Sequence, residues 1–358
     1  MTVKITKPEI NVREKLNELK KPTGVAGEAM LRAETPQEQF NLIGAGRKNI
    51  LINSDFQVSQ RGDYTSATTS ADGYFLDRWR CDRNGTATLQ HTSGHDILGT
   101  PAICKAVKLV QTVTGTNYLG VRQKIENPSL YAGRTFTYSA WIRSNTTNAR
   151  IECYVPGTSP NIYIGPSHSG NGQWEYLSFT FTLNSGTPTA FHVDVFIDNG
   201  AYGNVTITAG EYVEATMLQL ELGNVATPFE HRSYGEELAL CQRYFYRLGH
   251  TATGYLFTMT GVSATVGEIQ YFPPVTMRTT PTLILNNASP YWEVYPWNII
   301  GNDSINISSI HAGHMTPDGH GQVGVFFSGT TGSYVNPNLV RGTHYVIQAD
   351  FISFSAEL

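Results

Sequence analysis

Sugar rings are held by aromatic side chains that stack on their apolar faces and by amides and carboxylates that pair with their hydroxyls. In this sequence the densest supply of such groups is "SPYWEVYPW", which carries Tyr291, Trp292, Tyr295 and Trp297. As a strand it would place Tyr291, Glu293 and Tyr295 on one face and Trp292 and Val294 on the other. One face could then be core and the other a ligand or subunit surface. Tyr154, Tyr163 and Tyr202, in or beside turn-rich stretches, are further candidates for glycan contact. Trp141 and Trp174 stand inside strand-like runs and are expected to pack in a core.

Other chemistry is thinly represented. Asp194 and Asp198 in "FHVDVFID" would share a strand face, but roughly 13 Å apart from the strand rise. That exceeds the roughly 5–9.5 Å carboxyl separation of glycoside hydrolases. No GxSxG, HExxH or P-loop pattern occurs, so no enzyme is expected. His311, His314 and His320 in "IHAGHMTPDGHGQ" could meet at a threefold axis, although a glycine-rich exposed loop with incidental histidines is the expectation. Cys81, Cys104, Cys153 and Cys241 lack CxxC spacing and read as buried free thiols.

The elements that must position these residues fall into four stretches. Residues 1–48 hold a charged helix with Val12, Leu16 and Leu19 on one side, stopped by Pro22. A second helix, in "ETPQEQFNLIGAG", has Thr35 as N-cap, Pro36 at its first position and Phe40 inside. Stripes this narrow cannot bury a core of their own, so the arm is expected to dock on a partner or on copies of itself. The alternative is an arm folded back on its own β-domain. Residues 49–232 alternate with period two in runs such as "RTFTYSAWIRS", "QWEYLSFTFTL" and "EATMLQLEL", separated by turn clusters. That spacing predicts a β-sandwich, most simply a jelly roll. Residues 233–247 read as a linker helix with Ser233 and Glu236 as a capping box, and residues 248–358 as a second compact β-domain. The fold class is therefore mainly β.

Charge narrows the partners. Lys and Arg total 25 against 29 Asp and Glu, a net charge of −4 without a basic cluster, which argues against nucleic acid. "MTVKITKPEINVREKL" lacks the apolar run of a signal peptide, and no stretch approaches the roughly 20 apolar residues of a membrane span. Synthesis in a cytoplasm without membrane insertion is expected.

"RKNILINSDFQVSQRG" with "DGYFLDRW" resembles a module of bacteriophage tail-fibre and other virion proteins. "LQLELGNVATPFEHRSYGEELALCQRYFYR" resembles the close of that module, and "YFPPVTMRTTPTL" and "FISFSAEL" are similar to fibre tip domains. The lead-in "LNELKKPTGVAGEAMLRAETPQEQFNLIGAGRKN" is similar to N-terminal segments of tail proteins from phages of marine bacteria. "VRQKIENPSLYAGRTFTYSAWIRS" and "GQWEYLSFTFTL" also resemble jelly-roll carbohydrate-binding modules. The resemblance implies a homotrimeric tail-fibre structural protein in the virion, docked to other tail or virion proteins through residues 1–48 and adhering to host-surface glycans. A virion adaptor that binds no receptor, a capsid-decorating fibre and, more remotely, a glycan depolymerase are the other readings. No cofactor is implied except a structural calcium, for which Asp55 and Glu221 fall in suitable regions.

Overall fold

In a computed structural model of the chain, the described residues are 48–358 apart from 63, 70–71, 96, 98–103, 201–202, 249–253, 262–265, 272, 280, 286–292, 297–304, 313–322, 330–343 and 350–351. The docking candidates Val12, Leu16, Leu19 and Phe40 lie outside the described residues.

The first strands are β1 (Thr68–Thr69), β2 (Gly73–Leu76), β3 (Trp79–Arg83), β4 (Ala87–His95) and β5 (Cys104–Gln111). They are followed by β6 (Gly115–Asn117), β7 (Leu119–Lys124), β8 (Thr135–Ser144), β9 (Ala149–Tyr154) and β10 (Ile162–Ser167). β11 (Trp174–Thr182), β12 (His192–Ile197), β13 (Val205–Ile207) and β14 (Tyr212–Leu222) complete the unit. Two six-stranded antiparallel sheets result, ordered β1-β4-β5-β14-β8-β11 and β10-β9-β12-β7-β3-β2. They form the expected sandwich, because alternation gives each strand one apolar side. On β8, Phe136, Tyr138, Ala140 and Ile142 enter the core, and so do Val193, Val195 and Ile197 on β12.

Helix α1 (Tyr234–Gln242) follows, with the Ser233 side chain accepting the Glu236 amide. It is shorter than the sequence suggests. Phe245–Leu248 form β15, which pairs with β23 (Ile352–Ser355), itself paired with β18 (Thr282–Leu285). The aromatic run at 244–246 gains more by burying Tyr244 and Phe245 in this sheet than by continuing a helix. β16 (Gly254–Gly261), β17 (Val266–Tyr271), β19 (Glu293–Pro296), β20 (Ile305–Ala312), β21 (Val323–Gly329) and β22 (His344–Ala349) close into a barrel ordered β16-β17-β21-β20-β19-β22.

The stretch from Asn49 to Val58 is a structural hub. Leu51, Phe56 and Trp79 are fully buried, and Phe56 meets Trp79 edge to face at 5.3 Å. Asn53 adopts a left-handed φ of 55°, which asparagine tolerates better than other non-glycine residues. Its Oδ1 accepts Val58 N at 2.9 Å, and its Nδ2 donates to Val58 O at 2.8 Å and Asp77 O at 3.0 Å. The Trp79 indole donates to Asn53 O at 2.8 Å, and the Asn53 amide donates to Glu237 on α1. Arg232 donates to Leu51 O at 2.9 Å. The end of the chain closes the same region: Glu357 pairs with Arg61 at 3.0 Å and with buried Arg78, whose guanidinium lies 3.7 Å from the Tyr244 ring centroid.

Candidate functional site

Because Phe136 to Ile142 alternate into the core, Thr135, Thr137, Ser139, Trp141 and Arg143 face away from it on the outer side of the sheet. β11 pairs with β8 so that Trp174 opposes Arg143, Tyr176 opposes Trp141 and Ser178 opposes Ser139. The outcome corrects the expectation for both tryptophans. Trp141 and Trp174 are half-buried on the outer face rather than packed in the core. The signal was in the sequence: in "TYSAWIRS" tryptophan falls on the same parity as threonine, serine and arginine, opposite to Tyr138 and Ile142.

Trp141 and Tyr176 have ring centroids 5.4 Å apart and planes inclined at 52°, and Tyr176 is 43% exposed. Arg143 lies 5.2 Å from the Trp174 ring centroid. Its Nε donates to Glu214 Oε2 at 2.9 Å across to β14, while Thr92 on β4 donates to Glu214 Oε1 at 2.6 Å. Further along the face, Lys108 Nζ sits 4.3 Å from the Tyr212 ring centroid. Beyond the rings, hydroxyls pair across strands, Thr135 with Thr182 at 2.9 Å and Thr137 with Thr180 at 3.0 Å. Tyr176 is exposed, Trp141, Trp174 and Arg143 are half-buried, and Thr137, Ser139, Glu214 and Thr216 are buried, so the part of the face open to a ligand is the aromatic edge with its guanidinium and the exposed Ser178, Thr180 and Thr182 hydroxyls of β11. Such a surface can stack on pyranose faces and hydrogen-bond their rims.

The outer face of the second sheet is ionic. Arg122 on β7 bonds Asp194 through Nε at 2.8 Å and Asp82 through Nη1 at 2.6 Å. Arg150 pairs with Asp198 at 3.1 Å, and Glu152 stands directly opposite Asp194. Asp194, Asp198 and Glu152 are fully buried although they point away from the core. Loss of water pushes Asp194 up to about 7, outweighing a guanidinium that it shares with Asp82. Burial works against the charged form of Arg122, but Asp194 and Asp82 together outweigh it and leave Arg122 raised. His192 is driven down to about 3 by burial and then by Arg122, Lys124 and Arg80, so it is neutral near pH 7.

The expected glycan contacts do not converge. Tyr154, half-buried at the end of β9, meets His192 edge to face at 5.4 Å on the ionic face. Tyr163 is the second residue of β10, directly after the 156–161 turn. Its ring is buried 4.8 Å from Phe181 and its hydroxyl accepts Asn184 N at 3.1 Å, so it offers no stacking surface. Tyr295 lies in β19 opposite Val346 of β22, and Tyr202, Tyr291, Trp292 and Trp297 lie outside the described residues. His311 is in β20 opposite Phe326 rather than in the expected loop, while His314 and His320 lie outside the described residues. Cys81, Cys153 and Cys241 are buried thiols outside any disulfide, and burial pushes the Cys153 and Cys241 thiols well above their ordinary value.

The calcium candidates Asp55 and Glu221 are buried and accept hydrogen bonds from the protein itself. Asp55 accepts from Gln57, and Glu221 accepts Thr227 N at 2.8 Å, Thr227 Oγ1 at 2.7 Å and Gln219 Nε2 at 3.1 Å. Glu221, with three donors, acts as a pin for the 219–227 turn. Among the described residues no group of three or more His, Cys, Asp or Glu is gathered as metal ligands, and no helix is long and apolar enough to cross a membrane.

No family model matches the chain, and no curated protein matches it. Among solved structures it is similar to the enzymatically active domain of bacteriophage CBA120 tailspike protein 4, at 14% identity and a TM-score of 0.33 over 49% of this chain and 21% of that one. It is also similar to the C-terminal family 22 carbohydrate-binding module of Clostridium thermocellum Xyn10B, at 14% identity and a TM-score of 0.30, over 47% of this chain and 99% of that module. A third is the tandem CBM22-1–CBM22-2 domain of Paenibacillus barcinonensis Xyn10C, at 8% identity and a TM-score of 0.28, covering 83% of this chain and 99% of that one.

Proposed function

We propose that the chain is a bacteriophage tail-fibre structural protein that adheres to host-surface glycans through the Trp141–Tyr176 platform. The observation that carries this reading is the platform itself: three large aromatic rings held on the outer face of a rigid sheet, with Tyr176 exposed and Arg143 fixed beside them by Glu214. A sheet surface that spends two of the five tryptophans outside its core has a use for them there. The resemblance of residues 47–62, 72–79 and 218–247 to phage fibre modules supplies the setting. In that setting residues 1–48 dock on another virion protein, and three chains associate into the fibre. Weak contacts repeated over three chains become tight attachment through effective concentration.

Adhesion is favoured over catalysis on the ionic face, because Asp194 and Asp198 are fully buried, each beneath an arginine, and cannot reach a glycosidic oxygen. The test is adsorption of the purified full chain to bacterial cells and isolated surface polysaccharides, with its mass in solution measured alongside. Saturable adsorption by a trimer, without release of oligosaccharide, supports the reading. A trimer that adsorbs to no cell or polysaccharide favours an adaptor inside the virion instead.

A further inference from the structure

Resting on the platform reading, we infer that the glycan it takes is anionic, with carboxylate-bearing sugars. The charges of the face are arranged asymmetrically in depth. Glu214 is fully buried beneath Arg143, whose side chain is 30% exposed. Lys108, opposite Glu214 in the β5–β14 register, extends over Tyr212. The remaining acids of these strands are withdrawn. Glu221 is buried and held by Thr227, and Glu175 is tied by Ser169 and Asn171 to the loop at 168–173, on the strand side opposite to Trp174 and Tyr176. β4, β5 and β8 contain no acidic residue.

Among the described residues the surface presented to a ligand is therefore aromatic and cationic, on a chain whose net charge is −4. From Tyr176 on β11 to Lys108 on β5 the face spans four strands, about 14 Å at the usual strand spacing, with Glu214 and Thr216 of β14 buried between them. A sugar chain lying over Tyr176 and Trp141 brings its next units above Arg143 and Lys108. A neutral sugar gains stacking there. A uronate adds charge-assisted hydrogen bonds to cations that no exposed carboxylate competes for.

The experiment arrays acidic bacterial polysaccharides beside their carboxyl-reduced forms, which keep linkage and stereochemistry but lose the charge, and measures binding of the full chain. The expected result is binding of the acidic forms about tenfold more tightly. The preference should shrink from about 0.15 M to about 1 M salt, as the Debye length falls from about 8 Å to about 3 Å. Lys108→Gln, which leaves the Arg143–Glu214 pair intact, should remove much of the preference for the acidic forms. Tyr176→Ala should weaken binding of acidic and reduced forms alike. Equal binding of acidic and reduced forms overturns the inference and leaves the platform reading standing. Absence of binding to every polysaccharide, or binding indifferent to Tyr176→Ala, overturns the platform reading itself.

Discussion

Trp141 and Tyr176 stand directly opposite one another on β8 and β11, and both face away from the core. The pairing is a consequence of register. Phe136 to Ile142 on β8, and Leu177 and Phe181 on β11, commit the other parity to the sandwich interior. A one-residue slip would bury Tyr176 and expose Phe181, so the core that fixes the fold also fixes the platform.

Tyr176→Ala should separate binding from stability. The side chain is on an edge strand and substantially exposed, so the cost in folding should stay within about 1 kcal/mol. Glycan affinity should fall by about tenfold or more. Tyr176→Phe, which keeps the ring, should retain most of it. Urea melts and binding isotherms of the two variants check both parts.

The ionic face should show in the pH dependence of stability. Asp194 rises on folding to about 7, so its favourable contribution is complete below its unfolded value and is lost as pH climbs through about 7. Asp194→Asn removes that term. Its destabilisation should accordingly be larger near about pH 5 than near about pH 8. His192, driven down to about 3, works in the opposite sense, its contribution being lost as pH falls below its unfolded value. The variant-minus-parent difference in urea stability isolates Asp194, and a difference flat across that range would contradict its placement.

At Asn53 the left-handed backbone and the side-chain hydrogen bonds can be tested apart. Asn53→Gly keeps the conformation and loses the bonds to Val58 and Asp77, costing about 1–3 kcal/mol. Asn53→Ala loses both and should cost about 1–2 kcal/mol more. Equal costs in equilibrium unfolding would show that the backbone at 53 carries no strain.

Glu357 closes the chain against the sandwich. Glu357→Gln leaves Arg78, 1% exposed, without its carboxylate partner, and should destabilise by about 3 kcal/mol or more. Faster proteolysis at the end of the chain together with a lower melting temperature is the expected outcome.

Much of the fold was legible because sandwich strands advertise themselves by parity. "TFTYSAWIRS", "HVDVFI" and "YVEATMLQLEL" became β8, β12 and β14 nearly as read. The short strands β2 and β3 and the hub at 49–58 were not, since their order depends on Asn53, Asp77 and Glu237, which are distant in sequence. The helix over-read at 243–247 has the same cause, for β15 exists only through its partner β23. The site was legible in type and missed in position. Standing in strand-like runs suggests core for Trp141 and Trp174, but the parity of Trp141 with Ser139 and Arg143 places it outside. Tyr163, beside a turn-rich stretch, is buried because β10 pairs with β9 so that it opposes Cys153, a register no local pattern specifies.

The central claim is that ligand sits on the outer face of β8 and β11. Hydroxyl-radical footprinting of the full chain, with and without a bacterial surface polysaccharide at saturation, tests it most directly. The account predicts protection of Trp141, Trp174 and Tyr176, with Tyr154 and His192 unchanged. Protection confined to residues 248–358, or to the face bearing Tyr154 and His192, would contradict it.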